Sequence, residues 1–262
     1  MGLLAVATWP LLAFLAGAGL VALIAAVLLG HVPARLLKEN VAGRPVGAVL
    51  GYALWAGVAG GTLLAASRLD PPTDEAAVAV SLATTGVTAA LVVAGALDDL
   101  FTGGPRGLTG HLGSLVQGRP TTGILKLLVG LGAALVLALH LADDPVRIVA
   151  IVALAALCTN LWNALDVVPG RALKWAAVAL VPLVAAAWTR PSGGVLAATL
   201  GAVLVLLPFD LRERAMLGDA GSNPLGFLVG LGLAVVLPTP GLIAAASVAL
   251  LLQVAAETVT IS

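Results

Sequence analysis

Two adjacent carboxylates, Asp98 and Asp99, close a long apolar run in GALDDL. Neighbouring carboxylates repel, so the pair is costly unless a cation or a shared proton relieves it. A metal-assisted centre uses that tension; two solvated acids at a helix end are the plain alternative. Lys126, one of only three lysines, stands just inside the next apolar run. There its ammonium can meet a phosphate as a point charge, or snorkel to an interface. Asn160, Asn163 and Asp166 recur every three residues and share one helix face. Amides at an otherwise apolar helix end suit a polar ligand, or bond helix to helix. Asp219 stands between Gly218 and Gly221, which leave room for close backbone approach. Ser222 or Asn223 is expected to cap the following helix, whose N-terminus favours an anion. Four acids, a lysine, two amides and nearby arginines make the inventory for Mg²⁺ plus a diphosphate: hard oxygen ligands for the metal, cations for the phosphates.

These residues need elements to bring them together, and the composition restricts what those are. Of 262 residues, 60% are hydrophobic and 10% charged, against about 25% charged in a soluble domain. Mean hydropathy is +1.11. Thirteen basic and thirteen acidic residues give zero net charge, which excludes a nucleic-acid binder working through a basic surface. Charge-free runs of bilayer-spanning size, about 20 residues, cover 2–29, 46–67, 76–97, 127–142 (extended back to 121), 148–165, 175–189 and 193–209. A further run over 220–256 is broken at Pro238-Thr239-Pro240 into two. The expectation is an all-α, polytopic integral membrane protein of about nine transmembrane helices, one domain over residues 1–262. A β-barrel would show alternating segments of about ten residues instead. The lone Cys158 lies inside a span and reads as packing.

Lysine and arginine orient the chain. With the N-terminus outside and the C-terminus cytoplasmic, the inner turns hold ten basic residues: Arg35, Lys38, Arg44, Arg106, Arg119, Lys126, Arg171, Lys174, Arg212 and Arg214. The outer side holds three, Arg68, Arg147 and Arg190. The same orientation puts all the chemistry-bearing turns on one membrane face, although it was derived without the acids.

In their order along the chain, GALDDL, TGILKLL, NLWNALDVVPGR and MLGDAGSNPLG resemble the polyprenyl-phosphate N-acetylhexosamine-1-phosphate transferases. That superfamily includes the phospho-MurNAc-pentapeptide translocase and GlcNAc-1-phosphate transferases. Glu39 to Pro45, with Gly47 and Gly51, resembles the family's N-terminal loop more weakly. The resemblance implies that a polyprenyl phosphate such as undecaprenyl phosphate attacks the β-phosphate of a UDP-sugar. UMP leaves, at the cytoplasmic face of a bacterial plasma membrane, for cell-envelope glycan synthesis. It implies Mg²⁺, with Mn²⁺ as substitute, and a homodimer as one mode of assembly. Asp98 would position or deprotonate the lipid phosphate, Asp99 would support the metal and diphosphate, and Asp219 would ligate the metal. Lys126 would bind phosphate. Asn163 and Asp166 would line the nucleotide pocket, with Asn160 and Ser222 in the same substrate-binding set.

Departures from the family pattern concentrate on the nucleotide side. Asp166 is followed by Val167-Val168-Pro169-Gly170, so the second acid of the family's N-x-x-D-G-x-D-G turn is missing. Met216 stands where the translocase carries an aromatic three residues before its metal-binding Asp. His31, His111 and His140 make no substitute for the family's histidine-rich loop. Arg171 is the candidate to replace the lost contacts. The alternative expectation is a catalytically altered relative that binds polyprenyl phosphate or scaffolds envelope enzymes.

Overall fold

The apolar runs fold as helices because a helix satisfies its own backbone groups without water. The computed structural model describes residues 2–40, 42–67, 71–101, 114, 116 and 121–261. Arg68, Arg106, His111 and Arg119 lie outside the described residues. Among those described, the helices are α1 (Gly2–Gly30), α2 (Leu50–Ala66), α3 (Pro71–Leu100), α4 (Thr122–Leu141), α5 (Pro145–Leu165), α6 (Arg171–Ala187), α7 (Gly193–Leu211), α8 (Asp219–Val236) and α9 (Thr239–Ile261). Seven are long and apolar enough to cross a membrane. The two others, α2 and α6, have 17 residues each, about 25 Å at 1.5 Å per residue.

The helix ends follow local chemistry. Thr121 caps α4, its side chain accepting from the Ile124 N–H. Asp144 caps α5 in the same way and is followed by Pro145, whose fixed φ suits a first turn. The expected break at Pro238-Thr239-Pro240 separates α8 from α9.

The centre of the bundle is α8. In it 78% of the most apolar stretch is buried, against 17% in α9. It packs on α2, α3, α5 and α6. The closest approach that matters for the site is to α3. A Cβ at Gly95 would fall 2.3 Å from the Asp219 carbonyl oxygen. The missing side chain lets the last turn of α3 lie on the first turn of α8.

The helical expectation holds, and beside the helices there is one small sheet. Residues 37–39, 45–48 and 215–216 form a small sheet of order β1 (Leu37–Glu39), β2 (Pro45–Ala48), β3 (Ala215–Met216). β1 and β2 pair antiparallel, with Lys38 opposite Val46, and β2 pairs parallel with β3, with Gly47 opposite Ala215. The hairpin is closed by Asn40, whose Oδ1 accepts the N–H groups of Ala42 (3.0 Å) and Arg44 (2.9 Å). The sheet fastens the first polar turn of the chain to the one that precedes α8.

Candidate active site

Asp98 and Asp99 occupy the final turn of α3, and one residue of helix rotation sends them to different partners. The Asp98 carboxylate accepts from the Thr122 hydroxyl and, at 3.1 Å, from the Lys126 ammonium. The same ammonium donates to Asp219 Oδ2 at 2.7 Å. Two carboxylates, from α3 and α8, therefore converge on one cation held by the second turn of α4.

Asp99 does something else. It is 1% exposed, and its two oxygens accept the backbone N–H groups of Asp219 and Ala220, each at 3.1 Å. It also pairs with Lys38 from β1. This carboxylate caps α8 from another helix, where the positive end of the helix dipole favours an anion. Both of its oxygens are engaged by these donors, so Asp99 holds the Asp219 backbone in place. Gly218 makes the approach feasible. Its φ is +66°, and a Cβ there would lie 2.8 Å from Asp99 Oδ2 and 2.9 Å from Ala48 Cβ.

The expected cap from Ser222 or Asn223 is also corrected. Because α8 begins at Asp219, both residues lie within its opening turns. The Ser222 hydroxyl lies 2.9 Å from Asn163 Oδ1 and 3.0 Å from the Gly218 carbonyl oxygen. Asn223 donates to the Asp219 carbonyl at 2.7 Å.

A cavity of about 660 Å³ opens beside Asp219, within the usual range of about 300–1,000 Å³ for small-molecule sites. Asn163 and Asp166 line it from the end of α5, Asp210 and Glu213 from the end of α7, and Lys38 and Met216 from the sheet. Loss of hydration pushes the Asp166 carboxyl well above the usual carboxylate range, and the charges of Asp210, Asp219 and Asp99 add to this, against a hydrogen bond from the Gly218 backbone. Asn160 is exposed and is not among the cavity's lining residues. Three residues advance a helix by about 300°, and the remaining offset takes Asn160 off the cavity side. Arg171 donates to the Leu165 and Ala164 carbonyls at 2.9 and 3.0 Å. It closes the end of α5 instead of reaching the cavity.

Lys38, Thr122, Asp210 and Glu213 were not assigned from sequence. Asp210 had the same signal as Asp98, a carboxylate directly after an apolar run. Its buried Oδ2 accepts the Gly170 N–H at 2.8 Å, so it holds the turn after Asp166 as Asp99 holds α8. Glu213 carries the positive φ of +52°. Glu213 and Arg214 donate back to the Asp210 and Phe209 carbonyls at 2.9 and 3.0 Å, the Schellman closure that usually employs glycine at this position. Glu213 accepts from Asn40 and pairs with Arg44, tying the hairpin to the α7 end.

No family model matches the chain, and no curated protein matches it.

Among the described residues, no group of three or more His, Cys, Asp or Glu side chains is arranged to hold a metal. Mg²⁺ does not require one, since it is commonly held by one or two carboxylates with substrate phosphates and water completing the shell. Asp98 and Asp219 fit that donor set: hard oxygens that already converge on a cation.

Proposed function

We propose that the protein transfers a sugar 1-phosphate from a UDP-sugar to a polyprenyl phosphate, releasing UMP. An oxygen of the lipid phosphate forms a bond to the β-phosphorus of the donor, and the bond from that phosphorus to the bridging oxygen of UMP breaks. The observation that carries this reading is the convergence of Asp98 and Asp219 on Lys126 beside a cavity large enough for a nucleotide. The order of the four motifs along the chain supports it.

In this reading α2 and α6 complete nine spans, the N-terminus is outside, and the site lies at the cytoplasmic face of a bacterial plasma membrane. Asp98 and Asp219 would hold Mg²⁺, or Mn²⁺ in its place. When bound, the ion neutralises diphosphate charge and aids departure of UMP. A phosphate nucleophile is already largely ionised near neutral pH, so little base catalysis is required. Lys126 supplies positive charge to a phosphate, Asn163 and Asp166 face the nucleotide, and Asp99 keeps Asp219 in register. Most of the acceleration then comes from holding two anions in line.

The test is UMP release from a panel of UDP-sugars with undecaprenyl phosphate, with and without Mg²⁺. At least one donor is expected to release UMP in a metal-dependent way. Asp98→Asn and Asp219→Asn should each lower release by about 10³-fold without unfolding the protein. Normal turnover in those variants overturns the reading. Lipid binding with no UMP release from any donor would favour the non-catalytic relative.

A further inference from the structure

Lys126 occupies the place between the two carboxylates that a divalent cation would need. Its side chain is 16% exposed, and those of Asp98 and Asp219 are 23% and 19% exposed. The carboxylates are restrained. Asp98 also accepts from Thr122, and the Asp219 backbone is pinned through its N–H by Asp99. The ammonium, by contrast, ends a flexible four-carbon stem. A cation arriving at Asp98 and Asp219 must therefore displace the lysine and not the acids. A largely buried ammonium that loses its carboxylates is strongly disfavoured unless another anion receives it.

We propose that Lys126 is the site's own counter-cation, passed from Asp98 and Asp219 to a phosphate of the incoming diphosphate as the divalent cation takes the carboxylates. Metal and diphosphate then bind cooperatively, and the bare protein binds metal weakly. This inference rests on the phosphoglycosyl-transfer reading and adds to it an order of loading: the metal arrives with the donor, not before it.

The experiment is a Mn²⁺ titration of the full-length protein in detergent, reading free Mn²⁺ by electron paramagnetic resonance, with UDP absent or present. Mn²⁺–UDP association is subtracted from a protein-free titration. In the unmodified protein UDP is expected to tighten Mn²⁺ binding at least tenfold. Lys126→Met should bind Mn²⁺ alone at least tenfold more tightly than the unmodified protein, with most of the UDP effect lost. Lys126→Arg, which keeps the charge, should bind Mn²⁺ alone weakly. If the unmodified protein binds Mn²⁺ equally well with and without UDP, the counter-cation role is overturned, and that result needs no variant to fold. Equal Mn²⁺ affinity in Lys126→Met overturns it too. If neither Mn²⁺ nor UDP binds in any combination, the underlying transferase reading fails and the inference fails with it.

Discussion

The two ends of α8 solve the same electrostatic problem in different ways. Its first N–H groups meet the Asp99 carboxylate. Its last carbonyls meet two arginines. Arg147 donates to Ala234 O at 2.8 Å, to Leu237 O at 3.2 Å and to the Thr239 hydroxyl at 3.4 Å, and Arg190 donates to Val235 O. Each end thus places the favourable charge against the helix dipole. At the far end, however, the arginines direct their donors mainly at backbone carbonyls, which are fixed parts of the helix end. At the cavity end the partners are carboxylates and lysines, whose ion pairs can be exchanged for those of another ion. Charge that only completes a helix is structural; charge that can change partner is available for chemistry.

Removing Asp99 should have the largest effect on stability. Asp99→Ala strands two helix N–H groups and the Lys38 ammonium, and is expected to lower stability by about 3 kcal/mol, read as a lower thermal midpoint in detergent. UMP release should fall with it. If stability falls but release is unchanged, Asp99 does not position Asp219, and the cavity end is no different in kind from the far end.

At the far end, Arg147→Ala should cost about 1–2 kcal/mol while leaving UMP release within about twofold. A collapse of turnover in that variant would break the division between the ends. Asp166→Asn gives a smaller effect with a pH signature. Because the folded-state carboxyl titrates above the ordinary value, its contribution to stability is fully present below about pH 4 and is lost as pH rises through the folded-state value. The Asn variant lacks this loss, so thermal midpoints across pH should show it gaining on the unmodified protein as pH rises. A gap independent of pH would remove Asp166 from the set of charge-stressed groups. The smallest change is expected for Glu213→Gly. Relief of the left-handed backbone, about 1 kcal/mol, is offset by loss of the Asn40 bond and the Arg44 pair, the latter exposed and worth about 0–1 kcal/mol. The net shift should stay within about 0.5 kcal/mol, and a loss well beyond that would mean the hairpin tie matters more than its exposure suggests.

Much of the helical frame was legible because bilayer crossing is a local constraint: seven of the helices are long and apolar enough on their own, and Pro238-Thr239-Pro240 breaks where expected. The sheet was not legible. β3 has two residues and β1 three, and the partner strand lies in a distant part of the chain. Asp98 and Asp99 were recognisable as a pair, but sequence spacing could not divide their roles. The division depends on which side of α3 faces α8, and Gly95 sets that approach. The row Asn160, Asn163, Asp166 was read as one face, yet only its last two members reach the cavity. Asp210 and Lys38 escaped for a different reason. One was taken as the end of a span and the other as an orienting charge, and both proved to be partners of the site's backbone or acids.

The hairpin's attachment to the α7 end also bears on how the protein is made. Arg44 and Glu213 are separated by 169 residues in sequence, and Asp99 reaches α8 across 120. Contacts of such separation are the slowest to form, since loop-closure entropy must be overcome before they repay it. During synthesis, the early helices can insert and pair while their polar ends still lack the segment that completes them. The centre needs Asp219 and the first turn of α8, so a nascent chain stalled before residue 219 lacks the second of the two carboxylates that meet Lys126.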